Sequence, residues 1–338
     1  MTNLSSTYCP LPFTHLHVTA TGDVKPCCVS KPFASKVDVN NQSLDEIYNN
    51  KHFKEIRRSL LTNKRPNECA VCWEQEASNL VSHRMKFLEE VPTPPRTEIV
   101  PVEFDYIDIR FSNVCNLKCI MCSGENSHLL NNGKVLQVAD MFVEELKPKL
   151  HNTRRVYFAG GEPLIMDQHY DVLHYLSIHN PDVVITYNTN LQVLEKGKYK
   201  VIDLWSKFKH KPFVLVSVDG LYEIGEKIRS NFNTEKFINN VHTLMEHRVP
   251  FTLFYTVGNY NIFNIPTFLQ QVVDLNLIYD IESNVSFTNF VQYPSKYSIQ
   301  NMSDGDKQKA VDLLAKVKTH KREINNLISY LLGKNSHI

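Results

Sequence analysis

The sequence predicts an α/β fold, a partial (βα)6 barrel preceded by a small N-terminal cysteine-rich α+β domain. Three observations predict it. From Phe104 onward, short runs rich in β-branched and aromatic residues alternate with amphipathic stretches at helical spacing. A segment over 91–102 carries Pro92, Pro94, Pro95 and Pro101, which favour an extended path and mark a boundary. All 8 cysteines lie at or before position 122, so the chemistry of thiols belongs to the first part of the chain.

Composition bounds the rest. A chain of 338 residues suggests about two domains and can bury a sizeable core. A hydrophobic fraction of 42% and a charged fraction of 22% exclude a disordered or collagen-like chain. Lys and Arg total 37 against 36 Asp and Glu, so the net charge of +1 gives no field that demands nucleic acid or an anionic membrane. The start, Met1-Thr-Asn-Leu-Ser-Ser6, is no secretory signal, and no stretch approaches 18 apolar residues. Cysteines grouped in close sets in a chain of this kind fit reduced thiolates holding metal rather than disulfides, and a cytoplasmic location is expected.

The elements follow in order. In the first domain, 1–90, a hairpin is expected around Leu16 to Thr21 with a turn at Thr21-Gly22-Asp23. Ser43 and Glu46 form a capping box, and Leu44, Ile47, Tyr48, Phe53, Ile56 and Leu60 recur near helical spacing behind it. A further helix is expected from about Cys69 towards Glu90. The linker, 91–102, leads into a barrel over 103–300. Its strands are predicted near 104–111, 154–159, 182–188, 213–218, 250–257 and 283–291. Its helices are predicted near 134–150, 168–179, 198–209, 233–248, 264–276 and 304–318. Strands alternating with helices imply parallel pairing and right-handed crossovers. About 200 residues suit six units rather than eight, and in such barrels the chemistry sits on the loops after the strands. A C-terminal helical segment, 301–338, is predicted to stop by Gly333.

Cys115-Asn-Leu-Lys-Cys119-Ile-Met-Cys122 follows the first barrel strand directly. The C-x3-C-x2-C spacing puts three thiolates in one compact loop. Soft thiolates select an iron–sulfur cluster, zinc or Cu(I). A four-iron cluster on three cysteines leaves one iron open to another ligand, whereas a zinc site would recruit a distant fourth residue. Spacing alone leaves these open.

With its position after strand one, this triplet resembles that of the radical S-adenosylmethionine (SAM) superfamily, over about 104–300. Gly160-Gly161-Glu162-Pro163 after the second strand is similar to the family's GGEP, which receives the methionine amino group of SAM. Asn188 lies in the polar segment Tyr187-Asn188-Thr189-Asn190 that ends the third strand. Ser217-Val-Asp219-Gly220, followed by Arg229, resembles the segment of the peptide-modifying branch that contacts the ribose and carboxylate of SAM. Met121 stands where the family usually has an aromatic residue beside the adenine. The resemblance implies a [4Fe–4S] cluster on Cys115, Cys119 and Cys122 whose open iron binds SAM. It implies reductive cleavage of SAM to a 5′-deoxyadenosyl radical that abstracts hydrogen from a substrate, the cofactors supplying the hard chemistry.

The N-terminal cysteines give a second set. Cys9, Cys27 and the C-x2-C pair Cys69 and Cys72 supply four thiolates, which suit zinc or an iron–sulfur cluster equally. The pattern C-x12-G-x4-C…C-x2-C resembles the auxiliary-cluster domain of SPASM and twitch proteins, here before the barrel instead of after it. The resemblance implies one auxiliary [4Fe–4S] cluster, as in twitch domains, serving electron transfer. Cys28 is the substitute for Cys27 and is otherwise a packing residue. Of the histidines between these cysteines, His15 and His17 are expected to be packed or solvated rather than ligands. A strand of six residues rises about 20 Å and a 12-residue linker spans at most roughly 40 Å, so the second set can reach the barrel mouth.

The function implied is a radical SAM oxidation or cross-linking of a peptide or protein side chain. Alternatives are dehydrogenation or rearrangement of a small molecule such as a sugar, aminoglycoside or purine precursor, and a non-catalytic zinc-binding scaffold. A flavodoxin- or ferredoxin-type electron donor is the family expectation, with no membrane and no nucleic acid as partner.

Overall fold

Alternation of apolar and polar residues along the strands dictates one twisted sheet with helices against its apolar face. A computed structural model describes residues 5–33, 35–77, 81–89 and 97–333. In chain order the elements are α1 (Leu11–Thr14), β1 (His15–Val18), β2 (Val24–Lys25), α2 (Leu44–Tyr48), α3 (Lys51–Leu61), α4 (Ala70–Ala77), α5 (His83–Leu88) and β3 (Tyr106–Arg110). Then come β4 (Lys118–Cys119), α6 (Asp140–Leu146), β5 (Arg155–Ala159), α7 (Asp167–His179), β6 (Val184–Thr189), β7 (Glu195–Lys196), β8 (Tyr199–Lys200) and α8 (Val201–Trp205). The remainder is β9 (Phe213–Val218), α9 (Tyr222–Ile228), β10 (Arg229–Ser230), α10 (Thr234–Glu246), β11 (Phe251–Val257), α11 (Ile265–Asp274), α12 (Ile281–Asn284), β12 (Val285–Phe290), α13 (Asp304–Leu314) and α14 (Lys321–Leu331).

The main sheet runs β12-β11-β9-β6-β5-β3-β1-β2. All pairs from β12 to β1 are parallel, and β2 returns antiparallel on the edge. This is the α/β class with a parallel central sheet, consistent with a partial barrel. In β3, Ile107 and Ile109 are buried with the core, while Asp108 and Arg110 point to the other face. Ile185 and Tyr187 in β6 and Val214, Val216 and Val218 in β9 continue the same apolar face.

The hairpin is formed by β1 and β2, with Gly22 at φ 84 in the turn. Its first strand also pairs in register with β3, His15 opposite Tyr106 and His17 opposite Asp108. The N-terminal region therefore shares the barrel's sheet. The physical reason is the open edge of β3, whose N–H and C=O groups β1 satisfies. The linker could have done no more than span the distance. Its residues 91–96 lie outside the described residues. The following stretch is held on α3 and its neighbour Asn49: Asn49 bonds Val100 through both its amide atoms, and Arg58 pairs with Glu98 at 2.6 Å.

The capping box of Ser43 and Glu46 is present at α2. The helix expected from Cys69 is two helices, α4 and α5, the second started by a fresh cap from Ser82. The helix expected over 134–150 begins only at Asp140. Residues 136–138 instead bond back to the exit of β3, Leu136 N–H to Asn113 Oδ1 and Val138 N–H to Phe111 O, which holds them extended. The helix expected over 198–209 is shortened to α8 by the small hairpin β7–β8. The last helix ends before Gly333, which sits at φ 65.

Candidate active site

The loops that leave β3, β5, β6 and β9 meet at one end of the sheet. Cys115, Cys119 and Cys122 lie on the loop after β3. Cys115 and Cys119 are buried and Cys122 is half-buried. Asn113, fully buried, orders this loop: its amide donates to Gly124 O at 2.8 Å and accepts from Leu136 N–H at 2.8 Å. The Cys115 N–H donates to His128 Nδ1 at 3.2 Å. Short antiparallel pairing of β4 with β10 places Cys119 opposite Arg229.

The turn Gly160-Gly161-Glu162-Pro163 is laced to the entrance of that loop. Gly161 N–H donates to Ser112 O at 3.0 Å and Glu162 N–H to Val114 O at 2.8 Å. Gly160 is at φ 126, and a Cβ on Gly161 would stand 2.1 Å from Val114 O. Both positions thus need glycine, the first for its backbone and the second for the close approach. Pro163 is buried and starts a short 3-10 turn.

Glu162 is buried, and its carboxylate is already engaged. It accepts from Leu164 N–H at 3.1 Å, Thr189 Oγ1–H at 2.6 Å and Asn190 N–H at 2.8 Å. Burial pushes its carboxyl up to about 7 despite these donors. The group ties the end of β6 to the turn after β5, and three donors leave room for one more on its oxygens. Asn188, half-buried in β6, accepts at Oδ1 from Ser217 Oγ–H at 2.7 Å.

Asp219 is fully buried and accepts from Arg229 Nε–H at 2.8 Å and Thr256 N–H at 3.0 Å. Arg229 Nη1–H reaches Cys119 Sγ at 3.8 Å. Burial works against the Arg229 charge, but the Asp219 carboxylate together with Cys119 holds the guanidinium above its usual range. Met121 is half-buried and packs against the core.

Several residues at this site escaped the sequence reading. Asn190 donates from Nδ2 towards Cys115 Sγ at 3.9 Å and to Asn116 Oδ1 at 2.8 Å. It lies two residues past Asn188, in the same polar segment. Asn113 and His128 shape the cysteine loop with no motif to announce them. Asp108 and His17, both buried, form a polar group with the half-buried Arg110. A signal existed there, an Asp in mid-strand at an alternating position, which must find partners if buried.

The second thiol set also converges. Cys9, Cys27, Cys69 and Cys72 line one small cavity together with Trp73, His83 and Arg84. Cys28 is exposed, stands 3.7 Å from His83 Nε2 and lines a different, adjacent cavity. His15 is packed, its Nδ1 within 2.8 Å of Tyr106 O and its ring stacked on Tyr106.

The donor chemistry suits iron–sulfur clusters at both places. Burial pushes Cys115 up to about 12, Cys119 up to about 11 and Cys69 up to about 12, and raises Cys9 and Cys27 as well. Thiols so placed become thiolates when a bound metal brings compensating charge. Among the described residues, no group of three or more His, Cys, Asp or Glu stands close enough to hold a single metal ion.

Comparison with family models matches residues 109–271 to the radical SAM superfamily and residues 9–73 to SPASM, an iron–sulfur cluster-binding domain. The second match precedes the first, in the order expected from the cysteines. No curated protein matches the chain. Among solved structures, anSMEcpe with bound AdoMet is similar at 18% identity over 69% of this chain and 60% of that one, with a TM-score of 0.47. Streptococcus suis SuiB bound to S-adenosylmethionine is similar at 17% identity over 86% and 61%, with a TM-score of 0.44. The cobalamin-dependent enzyme OxsB is similar at 12% identity over 64% and 32%, with a TM-score of 0.37. The chain spans about 60% of the length of the first of these. No helix among the described residues is long and apolar enough to cross a membrane.

Proposed function

We propose that this chain, which belongs to the radical SAM superfamily and is an enzyme, carries out hydrogen-atom abstraction from a peptide or protein side chain. Its radical SAM domain implies a [4Fe–4S] cluster and SAM, and its SPASM domain implies auxiliary iron–sulfur binding. When bound, the cluster and SAM supply reductive cleavage of SAM and a radical able to attack an unactivated C–H bond. Cys115, Cys119 and Cys122 would hold that cluster. Cys9, Cys27, Cys69 and Cys72 would hold one auxiliary [4Fe–4S] cluster, with no cysteine of the eight left over except Cys28.

The observation that carries the reading is the meeting of three further strand ends, those of β5, β6 and β9, around the cysteine loop that leaves β3. The glycine turn packs against the loop's entrance and Arg229 against its middle. Gly160 and Gly161 bring bare backbone to the place where the amino group of SAM would bind, and Glu162 keeps a lone-pair direction for an ammonium. Asn188, Ser217, Asp219 and Arg229 offer hydroxyl, amide and charged groups for a ribose and a carboxylate. Met121 gives an apolar, polarisable surface for adenine. Buried walls keep water from a reactive intermediate. The preference for a peptide rests on the SPASM match and on the Ser217-Val-Asp219-Gly220…Arg229 segment.

The test is direct. Reduced, anaerobically reconstituted protein should release 5′-deoxyadenosine and methionine from SAM, and a Cys115/Cys119/Cys122→Ala triple variant should not. A peptide fraction of cell extract should accelerate release more than the small-molecule fraction does. Acceleration by the small-molecule fraction alone would replace the peptide reading with dehydrogenation or rearrangement of a metabolite. No release under any condition would overturn the proposal.

A further inference from the structure

A cavity of about 480 Å³ opens between the β1–β2 hairpin and the loop after Cys122. Its walls include His17, Lys25 and Cys28 from the N-terminal region and Arg110, Glu125 and Asn126 from the barrel. Cys28 adjoins Cys27, which faces the four-thiol cavity, and Glu125 follows Cys122 by three residues. At the barrel end of β3, the Arg110 Cβ is 3.1 Å from where a Cβ on Gly160 would stand. The cavity is therefore bordered by chain neighbours of both thiol sets, Cys28 beside Cys27 and Glu125 just past Cys122.

Its floor is charged by design of the sheet. Asp108, 1% exposed, is held by two neighbours. His17 Nδ1–H donates to its Oδ2 at 2.9 Å and Arg110 Nη1–H to its Oδ1 at 2.8 Å. The pairing of β1 with β3 sets His17 opposite Asp108 and so creates this group. Arg110 spends one nitrogen on Asp108. Its Nε and Nη2 have no partner among the described residues, and the side chain is part-exposed at 21%. Lys25, the next inward position on β2, is half-buried and makes no ion pair among the described residues. The nearby Lys36, by contrast, is taken by Asp38 at 2.8 Å. Two cations with N–H donors to spare thus border one cavity, Lys25 and an Arg110 fork anchored from behind by Asp108.

We propose that this cavity is the substrate chamber and that Arg110 and Lys25 hold a carboxylate of the substrate there, with Asp108 and His17 as positioning residues. A guanidinium fork matches a planar carboxylate in two parallel hydrogen bonds, and an ammonium adds a point charge. A single negative charge fits better than a phosphate dianion, because the carboxylates of Asp23 and Glu125 line the same cavity. The proposal rests on the reading that the chemistry occurs at this end of the barrel, and it names the substrate class as carboxylate-bearing.

Cys28 is an internal reporter, exposed in the same cavity. Iodoacetate and iodoacetamide both alkylate a thiolate, forming a C–S bond as iodide leaves. They differ in carrying a carboxylate or a neutral amide. In the reconstituted holoprotein, alkylation of Cys28 is followed by mass spectrometry, with glutathione as the free-thiol reference. The iodoacetate-to-iodoacetamide rate ratio at Cys28 should exceed that of glutathione by about tenfold, the scale of local concentration by a charged cleft. N-acetylglycine should protect Cys28 and N-acetylglycinamide should not. Lys25→Gln and Arg110→Gln should each return the ratio towards that of glutathione. Lys25→Gln is the safer variant, because Arg110→Gln leaves Asp108 short of a partner. A ratio no higher than that of glutathione, or one that Lys25→Gln leaves unmoved, overturns the proposal. Protection by inorganic phosphate equal to that by N-acetylglycine overturns the carboxylate assignment. Release of 5′-deoxyadenosine, measured on the same samples, separates this result from the test of the radical reading.

Discussion

Arg229 stands between Asp219 and Cys119, its Nε donating to the Asp219 carboxylate at 2.8 Å and its Nη1 reaching the Cys119 sulfur at 3.8 Å. One guanidinium thereby joins the end of β9, through Asp219, to the loop that carries the cysteine triplet. Asp219 is itself tied to β11 by Thr256 N–H at 3.0 Å. Removing the cation leaves a fully buried carboxylate with no opposite charge. Arg229→Met should therefore lower stability by about 3 kcal/mol or more, whereas Arg229→Met with Asp219→Asn should recover part of the loss. Denaturant unfolding of the four members of this cycle measures it. A loss in the double variant equal to the sum of the two single losses would show that the pair is not coupled.

Glu162 makes a pH-dependent contribution of definite sign. Its folded-state carboxyl lies at about 7 against an ordinary 4.5, so the native protein keeps this proton where the unfolded chain has lost it. Its contribution is most favourable below pH 4.5, falls as pH rises between 4.5 and 7, and is level above 7. The fall is of order 3 kcal/mol by the usual conversion. Glu162→Gln should flatten this part of the stability profile. SAM, whose ammonium favours the carboxylate, should reduce the slope in the wild type. A slope that survives in Glu162→Gln would assign it to another group.

Cys27 and Cys28 should separate cleanly in a metal analysis. Cys27 faces Cys9, Cys69 and Cys72 across their cavity, and Cys28 does not. Cys27→Ala should lose about four irons per chain, while Cys28→Ala should lose none. The opposite result would exchange their roles.

Gly161→Ala tests the close approach of the glycine turn. The added methyl would meet Val114 O at 2.1 Å, a backbone atom that cannot rotate away. The turn and the entrance to the cysteine loop must move apart. We expect a loss of about 2–3 kcal/mol and at least a tenfold weaker affinity for SAM, read by thermal unfolding and equilibrium binding. Unchanged SAM affinity would remove this turn from the binding surface.

Much of this architecture is legible in the residues. Runs such as Phe213-Val-Leu-Val-Ser-Val218 give their strands away, because a strand covered by helices on one face and lumen on the other must be apolar at every second position. The cysteine spacing and the glycine turn are equally local, since each needs particular residue types at fixed offsets. The pairing of His17 with Asp108 is not local. It depends on β1 adding to an edge 91 residues further along the chain, and no short-range pattern encodes which edge accepts a strand. For the same reason Asn190 reads as part of a polar strand end, although its amide lies beside Cys115. The truncation of the helix at 134–139 has a similar origin, in bonds to Asn113 that only the folded loop provides.

The central claim, that two separate cysteine sets each hold an iron–sulfur cluster and that one of them binds SAM, is most directly tested by iron counting and electron paramagnetic resonance. Wild type and the Cys115/Cys119/Cys122→Ala variant are reconstituted anaerobically and examined with and without SAM. The account predicts about eight irons in the wild type, about four in the variant, and a signal that SAM alters in the wild type alone. Zinc without labile sulfide at the N-terminal cysteines, together with no response to SAM, would contradict it.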